Sequence, residues 1–559
     1  MEQNLDENTR RELEQELQTE IFPGTEIMTD VGNHHFVKSS SGEHSVLVPQ
    51  PSDAENDPLN WTRAWKFSTI YCALLCSLVQ GIGPIALAPM FPYYMKEFHS
   101  SLADVVQLTG ITILVLGFSN FIWVPIQSCF GRRPVMVIST LICLASSIWK
   151  AKATSYGSFL GACVLNGIGA GPCESTPPTI IADVVFLHDR GKYETLYFAV
   201  YFGALQLGPI LSGHMAEYAG LPSFWWLNAA LQGFAVVCFI FLLPETKFRQ
   251  GPVLENTTNQ PTSDDSISDE KNSNFEQVET KNRSLVGNSD PEKEGQSRAQ
   301  GITPAHSHQW LTKGKPSKSQ WKLFQPYEGN FLLELWLPWK VYFFPIVQFA
   351  ALVVAWSCSA SLTLNLTQSQ VFTAPPYKFS SSTIGFFNFA IFVGVLIGLF
   401  TAGPLSDLIA KWLTKRNNGI REPEMRLPAM IPYIIIMIIG NVIVALAYEH
   451  SWNWKITVII GYTCAGIQLA ALPSIASTYA VDSYKPVTGP LFVAITINKN
   501  LWGYGFSKYL TEWTLKSGYI TPIMTNMALI TLWCLCGLIF WFWGKTFRKW
   551  TSGSKVHAM

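Results

Sequence analysis

The sequence is short of charge. Only 14% of its 559 residues are charged, against 48% hydrophobic and 13% aromatic, a balance too apolar for an ordinary soluble chain of this length. Lys plus Arg equal Asp plus Glu at 39 each, so there is no basic excess to neutralise phosphates and no nucleic acid is expected as a partner. The opening MEQNLDENTRRELEQELQTE has no apolar run behind a basic start; no cleavable secretory signal is expected, and the first apolar span must itself direct insertion. No G-x-x-x-x-G-K-[ST] loop is present, which leaves direct ATP drive without support. The eleven cysteines lie in or beside apolar segments without metal-ligand spacing. They read as reduced packing residues, and no metal or cofactor is expected. The loops also lack a paired His and Asp or a metal-ligand constellation, so the chain is not expected to be an enzyme.

What the sequence has in quantity is long apolar runs. A bilayer core of roughly 30 Å needs about 20 predominantly apolar residues per helix. Six runs meet that need at 66–90, 106–127, 134–153, 157–181, 194–216 and 222–243, and six more at 339–364, 381–402, 428–447, 455–480, 487–510 and 519–543. The expected fold is an all-α membrane protein of 12 transmembrane helices in two six-helix bundles, 66–243 and 339–543. Residues 1–65 read as a largely disordered tail, 244–338 as a disordered linker too polar to bury a core, and 544–559 as a second tail.

Charge placement orients the spans, because basic loops stay on the cytoplasmic side. Arg132, Arg133, Arg190, Lys192, Lys411, Lys415, Arg416, Arg421, Arg426, Lys485, Lys545, Arg548 and Lys549 fall on one side. They outnumber Lys96, Lys150, Lys152, Lys378, Lys455, Lys508 and Lys516 on the other. Both termini and the linker are therefore expected in the cytoplasm of a multi-pass protein, with the plasma membrane as its site. Two blocks of six spans suggest halves that rock around a central site.

The turn after the second span reads Val124-Pro-Ile-Gln-Ser-Cys-Phe-Gly-Arg-Arg-Pro134, and its counterpart after the eighth reads Gly403-Pro-Leu-Ser-Asp407. The first resembles the loop signature G-x-L-x-D-R-x-G-R-R of the major facilitator superfamily. It keeps Gly131, Arg132 and Arg133, with Ser128 and Cys129 where the family has Asp and Arg; the second restores the acid. In the fifth span, Gly203, Gly208, Pro209 and Gly213 resemble the superfamily's antiporter motif, in which small residues admit close helix approach and proline bends the backbone. Asn56-Asp-Pro-Leu-Asn-Trp61, Leu243-Pro-Glu-Thr246 and Arg421-Glu-Pro-Glu-Met-Arg-Leu-Pro428 resemble the fungal twelve-span drug:proton antiporter family. Val46-Leu-Val-Pro-Gln-Pro51 and Ala182-Asp-Val-Val-Phe-Leu-His-Asp-Arg-Gly191 resemble its histidinol and polyamine transporter branch.

A charge at membrane depth costs roughly 2.5 to 3.5 kcal/mol and needs a partner, water or a task. Glu174 lies nine residues before Asp183, on the order of 13 Å deeper. It is a candidate to bind a proton or a cationic substrate, or a structural acid paired with a donor. Lys499, followed by Asn500, lies on the order of 20 Å from the inner surface and is expected to find an acceptor inside the second bundle. Asp183, Asp189, Arg190, Asp482 and Lys485, with Arg132, Arg133 and Asp407, are candidates for a cytoplasmic gate or are simply hydrated. Gln80, Asn166, Gln206, Asn388 and Gln468 are candidate cavity contacts or interhelical hydrogen bonds, and Trp356 and Tyr479 could face a cation.

The resemblance implies a proton-coupled transporter of small organic cations such as polyamines, working by alternating access as a monomer. The alternatives are a multidrug:proton antiporter and, from another class, a nutrient sensor without net flux.

Overall fold

A computed structural model of the chain describes residues 22, 24–27, 52, 54–248, 312–327, 329–417, 420–484 and 487–554. The described chain is almost entirely helical. The first half contains α1 (Arg63–Gly81), α2 (Phe91–Glu97), α3 (Leu102–Phe130), α4 (Arg132–Lys152), α5 (Tyr156–Ala170), α6 (Pro172–Val184), α7 (Leu187–Tyr218) and α8 (Leu221–Leu242). The second contains α9 (Phe331–Tyr342), α10 (Pro345–Thr373), α11 (Ser381–Arg416), α12 (Met430–Glu449), α13 (Thr463–Ser483), α14 (Thr488–Ser517) and α15 (Ile520–Ser552). Polar residues start several of them. Ser101 and Asp104 form a reciprocal capping box on α3, and Ser155, Asn330 and Ser380 cap α5, α9 and α11, each supplying an acceptor to a helix-end N–H.

Among the described residues nine helices are long and apolar enough to cross a membrane. The other expected crossings coincide with α1, with the pair α5 and α6, and with α14, so twelve spans are consistent with the fold. Two of these depart from a clean apolar run for visible reasons: α5 and α6 are broken at Gly171, and α14 carries Asn498, Lys499 and Asn500.

Several boundaries differ from expectation. The seventh span begins at Pro345, after the separate helix α9, rather than at 339. Helices α11 and α15 continue past 402 and 543 to Arg416 and Ser552, because polar side chains extend a helix beyond the bilayer wherever ion pairs hold it. The first tail is ordered where Asn56-Asp-Pro-Leu-Asn-Trp61 packs. Asp57 accepts from Leu59 N at 2.9 Å, Asn60 Nδ2 donates to Ala54 O at 2.9 Å, and Trp61 is fully buried. The interval 244–338 is also ordered at its described ends. Glu245 N donates to Gln320 O at 2.9 Å and Gly314 N to Asn60 O at 2.9 Å. Residues 249–311 of that expected linker, and Val46–Pro51, lie outside the described residues.

Residues 26–27 form β1 (Glu26–Ile27), which pairs antiparallel with β2 (Ile420–Arg421). Arg548 also donates to the Thr25 hydroxyl at 3.1 Å and Lys545 lies over the Phe22 ring, so the described parts of both chain ends meet at one end of the helical body, here the tail side; the opposite end is the far side.

Candidate functional site

The fourth crossing is broken where the chemistry sits. Gly171 separates α5 from α6, and Pro172 takes the first position of α6, where a missing N–H costs nothing. Glu174 follows in that first turn, so the partial positive charge of a helix start favours its carboxylate. Pro177 and Pro178 lie one turn further on and withhold the N–H groups that would otherwise serve the carbonyls of Cys173 and Glu174. The hydroxyl of Tyr197, from α7, stands 3.2 Å from both oxygens and donates there instead. One turn along α7, Tyr201 stacks near Tyr197 and donates its hydroxyl to Glu174 Oε1.

Lys499 approaches the same carboxylate from α14. Its Nζ lies 2.5 Å from Glu174 Oε1 and 3.3 Å from the Tyr201 hydroxyl, while Asn500 Nδ2 lies 3.3 Å from Glu174 Oε2. The expectation that Lys499 pairs within its own half is therefore corrected. Helix α14 packs along α3 of the first half, and that contact carries Lys499 across to α6. With side chains only 14% and 5% exposed, the pair has little water to replace a lost partner, and removal of one charge alone costs about 3–5 kcal/mol.

A cavity of about 70 Å³ opens beside the pair, lined by Glu174, Tyr201, Lys499, Asn500 and Gln206 against an apolar wall that includes Ile113, Phe202, Leu205, Leu362 and Leu469. Of the side chains proposed for the cavity, Glu174 and Gln206 are there. The rest are turned to other work. Gln80 donates to Ser139 and Thr140 at 3.0 and 2.8 Å, Asn166 donates to Ser146 at 3.1 Å, Asn388 accepts from Gln368 at 3.4 Å, and Gln468 accepts from Asn441 at 3.1 Å. Trp356 packs on Trp502 with ring centroids 5.0 Å apart, and Tyr479 is buried beside Phe349. Polarity within a span marks a hydrogen-bonding side chain, but the neighbouring helix decides whether it faces a cavity.

The tail side carries two ionic clusters. In the first half Arg132 Nε reaches Asp183 Oδ2 at 3.0 Å. Glu245 accepts from the backbone N–H of Arg132 and Arg133 at 2.8 and 3.0 Å, which places an anion at the start of α4. Gly131 precedes them at φ +109° with the Glu245 carboxylate against it, leaving no room for a side chain there. Arg133 donates to the carbonyls of Ile240, at 2.7 Å, and Trp321. Thr246 donates to Asp183 at 2.9 Å. Burial raises the Asp183 carboxyl above the usual carboxylate range, and Arg132 beside it offsets only part of that rise. Arg190 donates to Ala182 O at 3.0 Å and lies 4.0 Å from Glu194. The Asp189 side chain and Lys485 lie outside the described residues.

In the second half Arg426 holds Asp407 at 2.7 Å and Asp482 at 2.6 Å. Arg548, fully buried, forks onto both oxygens of Glu424 at 3.0 Å and reaches Glu422 at 2.5 Å. Thr25 of the first tail donates to Glu422 at 2.9 Å. The reading of the sequence missed Arg426, Glu245 and Arg548 as site residues, although the first two stand in the quoted strings Arg421–Pro428 and Leu243–Thr246. It also missed Tyr197 and Tyr201, for which a helix of mixed aromatics gives no local signal.

The glycines of the fifth span meet the other half and the first span. A Cβ on Gly213 would lie 2.5 Å from Ser381 O, one on Gly203 would lie 2.8 Å from the Phe392 ring, and Gly208 abuts the Ile82 carbonyl. Helix α7 runs on through Pro209, whose carbonyl touches the Gly385 position of α11. Nearby on the far side, Glu217 accepts from Ser382 N at 3.0 Å and Ser369 donates to Ala88 O at 2.5 Å. The two halves are thus tightly apposed there.

Residues 73–483 match the Major Facilitator Superfamily. The chain is 25% identical over 569 residues to an uncharacterized MFS-type transporter of Schizosaccharomyces pombe, covering 95% of this chain and 94% of that one. It is 23% identical over 559 residues to protein HOL1 of Saccharomyces cerevisiae, covering 92% of each. Among solved structures, the human organic anion transporter MFSD10 aligns with a TM-score of 0.47 and 15% identity, covering 84% of this chain and 99% of that one.

Proposed function

The chain belongs to the Major Facilitator Superfamily and is a multi-pass membrane transporter of that family; from that premise we propose that it carries small organic cations, such as polyamines, in a proton-coupled alternating-access cycle. The observation that supports this reading is the Glu174–Lys499 pair, which ties the two halves together beside the central cavity. A proton on Glu174 removes the charge that holds Lys499. A cargo ammonium placed against the same carboxylate displaces Lys499 by competition. Either event releases the tie between the halves, so occupancy by proton or cargo is coupled to rocking. The apolar wall suits the hydrocarbon part of such a cargo, and Gln206 offers a hydrogen bond.

In this reading the tail side is cytoplasmic, by its excess of Lys and Arg, the site of action is the plasma membrane, and the working unit is a monomer. The two bundles, 66–243 and 339–543, move as the rocking bodies, with 244–338 spanning between them. The Arg132–Asp183 and Arg426–Asp407–Asp482 clusters act as hinges and latches of the cytoplasmic gate.

A second reading, export of amphipathic drugs in exchange for protons, is favoured by the predominance of apolar groups on the cavity wall. Radiolabelled spermidine flux into vesicles holding the purified protein, with an imposed pH gradient, separates the two. Saturable flux that follows the gradient, and loses its pH dependence in Glu174→Gln at equal protein level, is the expected result. Indifference to spermidine together with drug-driven proton movement would establish the second reading. A sensor without flux predicts neither.

A further inference from the structure

The tail-side halves of α7 and α11 diverge around a cleft of about 990 Å³, floored by Ser474, Ile475 and Thr478 of α13. Residues of α11 from Leu399 to Lys415 line it, and one stripe among them runs its length. Phe400, Pro404, Leu408, Lys411 and Lys415 recur at steps of three and four residues, which puts them on a single helix face. Phe400, Leu408 and the neighbouring Trp412 are exposed. The stripe thus passes from apolar depth to a basic end.

Its length has a physical match. From Phe400 to Lys415 the helix rises about 22 Å. One leaflet, hydrocarbon plus headgroup, measures roughly 20–22 Å. Trp412, adjacent to both lysines, sits where an indole favours the headgroup boundary.

The charges in the cleft are not self-cancelling. Asp407 is held by Arg426 at 2.7 Å, and Glu194 lies 4.0 Å from Arg190. Among the described residues neither Lys411 nor Lys415, which both line the cleft, makes an ion pair. Basic pockets between spanning helices at a membrane surface suit anionic headgroups.

We infer that this cleft binds one anionic glycerophospholipid of the tail-side leaflet, its phosphate against Lys411 and Lys415 and an acyl chain along Leu408, Pro404 and Phe400. Because α7 and α11 belong to different halves, the lipid fills a seam that tail-side closure must empty. Its occupancy therefore favours the conformer open on that side, whatever the cargo.

The test uses the purified full-length protein in detergent, titrated with phosphatidylserine or phosphatidylcholine and read by native mass spectrometry. One retained phosphatidylserine is expected at concentrations where phosphatidylcholine leaves none, with binding weakened on the order of tenfold in Lys411→Gln/Lys415→Gln. Equal retention of the two lipids by the unaltered protein, or undiminished phosphatidylserine binding by the variant, overturns the assignment. A second measurement needs no variant. Phosphatidylserine carrying a photoreactive acyl chain, in vesicles with the unaltered protein, is expected to label residues 400–415 ahead of other lipid-facing helices. Labelling spread evenly over those helices overturns it as well.

Discussion

The two halves use one plan on the tail side with different chemistry. In the first, Arg132 at the start of α4 reaches Asp183 at the end of α6; in the second, Arg426 before α12 reaches Asp482 at the end of α13. The Arg–Asp contact between the third and fourth crossings is thus repeated between the ninth and tenth. Around it the signs are exchanged. The segment after the sixth crossing brings an acid, Glu245, to the start of α4, whereas the segment after the twelfth brings a base, Arg548, to the acids Glu422 and Glu424 before α12. The first turn has no Asp at Ser128, and the acid beside it, Glu245, binds backbone N–H groups rather than guanidinium. A repeated architecture preserves where a charge is needed more faithfully than which residue carries it.

The comparison can be broken most severely at the buried ion pair that joins the halves beside the cavity. Glu174→Ala leaves Lys499 buried without its counter-charge and is expected to cost about 3–5 kcal/mol, seen as a lower thermal midpoint in detergent together with loss of flux. The double variant Glu174→Gln/Lys499→Met should recover much of the midpoint and none of the pH-coupled flux; recovery of both would mean that the pair only packs. Next in size is Arg548→Ala, which strands Glu424 and leaves Glu422 only Lys545 at 3.6 Å and the Thr25 hydroxyl, and is expected to cost about 3 kcal/mol. A midpoint equal to that of the unaltered protein would show that the second half does not depend on its inverted cluster.

Glu245→Gln tests the first half's substitute acid. It keeps one acceptor oxygen for the N–H groups of Arg132, Arg133 and Lys247, so the loss should be about 1–2 kcal/mol, smaller than at Arg548 by the same midpoint assay. The smallest effect belongs to Asp407→Asn. Asp407 is 54% exposed and Arg426 retains Asp482, so under about 1 kcal/mol is expected. A shift as large as that of Arg548→Ala would overturn the ranking of buried over exposed partners.

Much of this was legible beforehand. The apolar runs located the crossings, and the twin turns Gly131-Arg132-Arg133 and Gly403–Asp407 announced the repeat. Glu174 and Lys499 were each visible as charges too deep to stand alone. That they need one another was not visible, since 325 residues separate them and their helices lie in different halves. Gln80, Asn166, Asn388 and Gln468 looked like Gln206 in every local respect, yet their neighbours differ. Arg426 looked like one more orienting cation until α13 brought Asp482 to it.

What the sequence determined by itself was therefore the helical membrane architecture, the repeat, and which buried groups require partners. These follow from hydrophobic length and from the cost of a lone charge, both properties of a short stretch of chain. The tertiary structure alone decided that Glu174 meets Lys499 across the halves, that Glu245 meets the start of α4, and that α7 and α11 part into a basic cleft. Such pairings depend on which helix lies opposite and at what rotation, and a few ångströms of helix packing separate a cavity wall from a hydrogen bond inside the core.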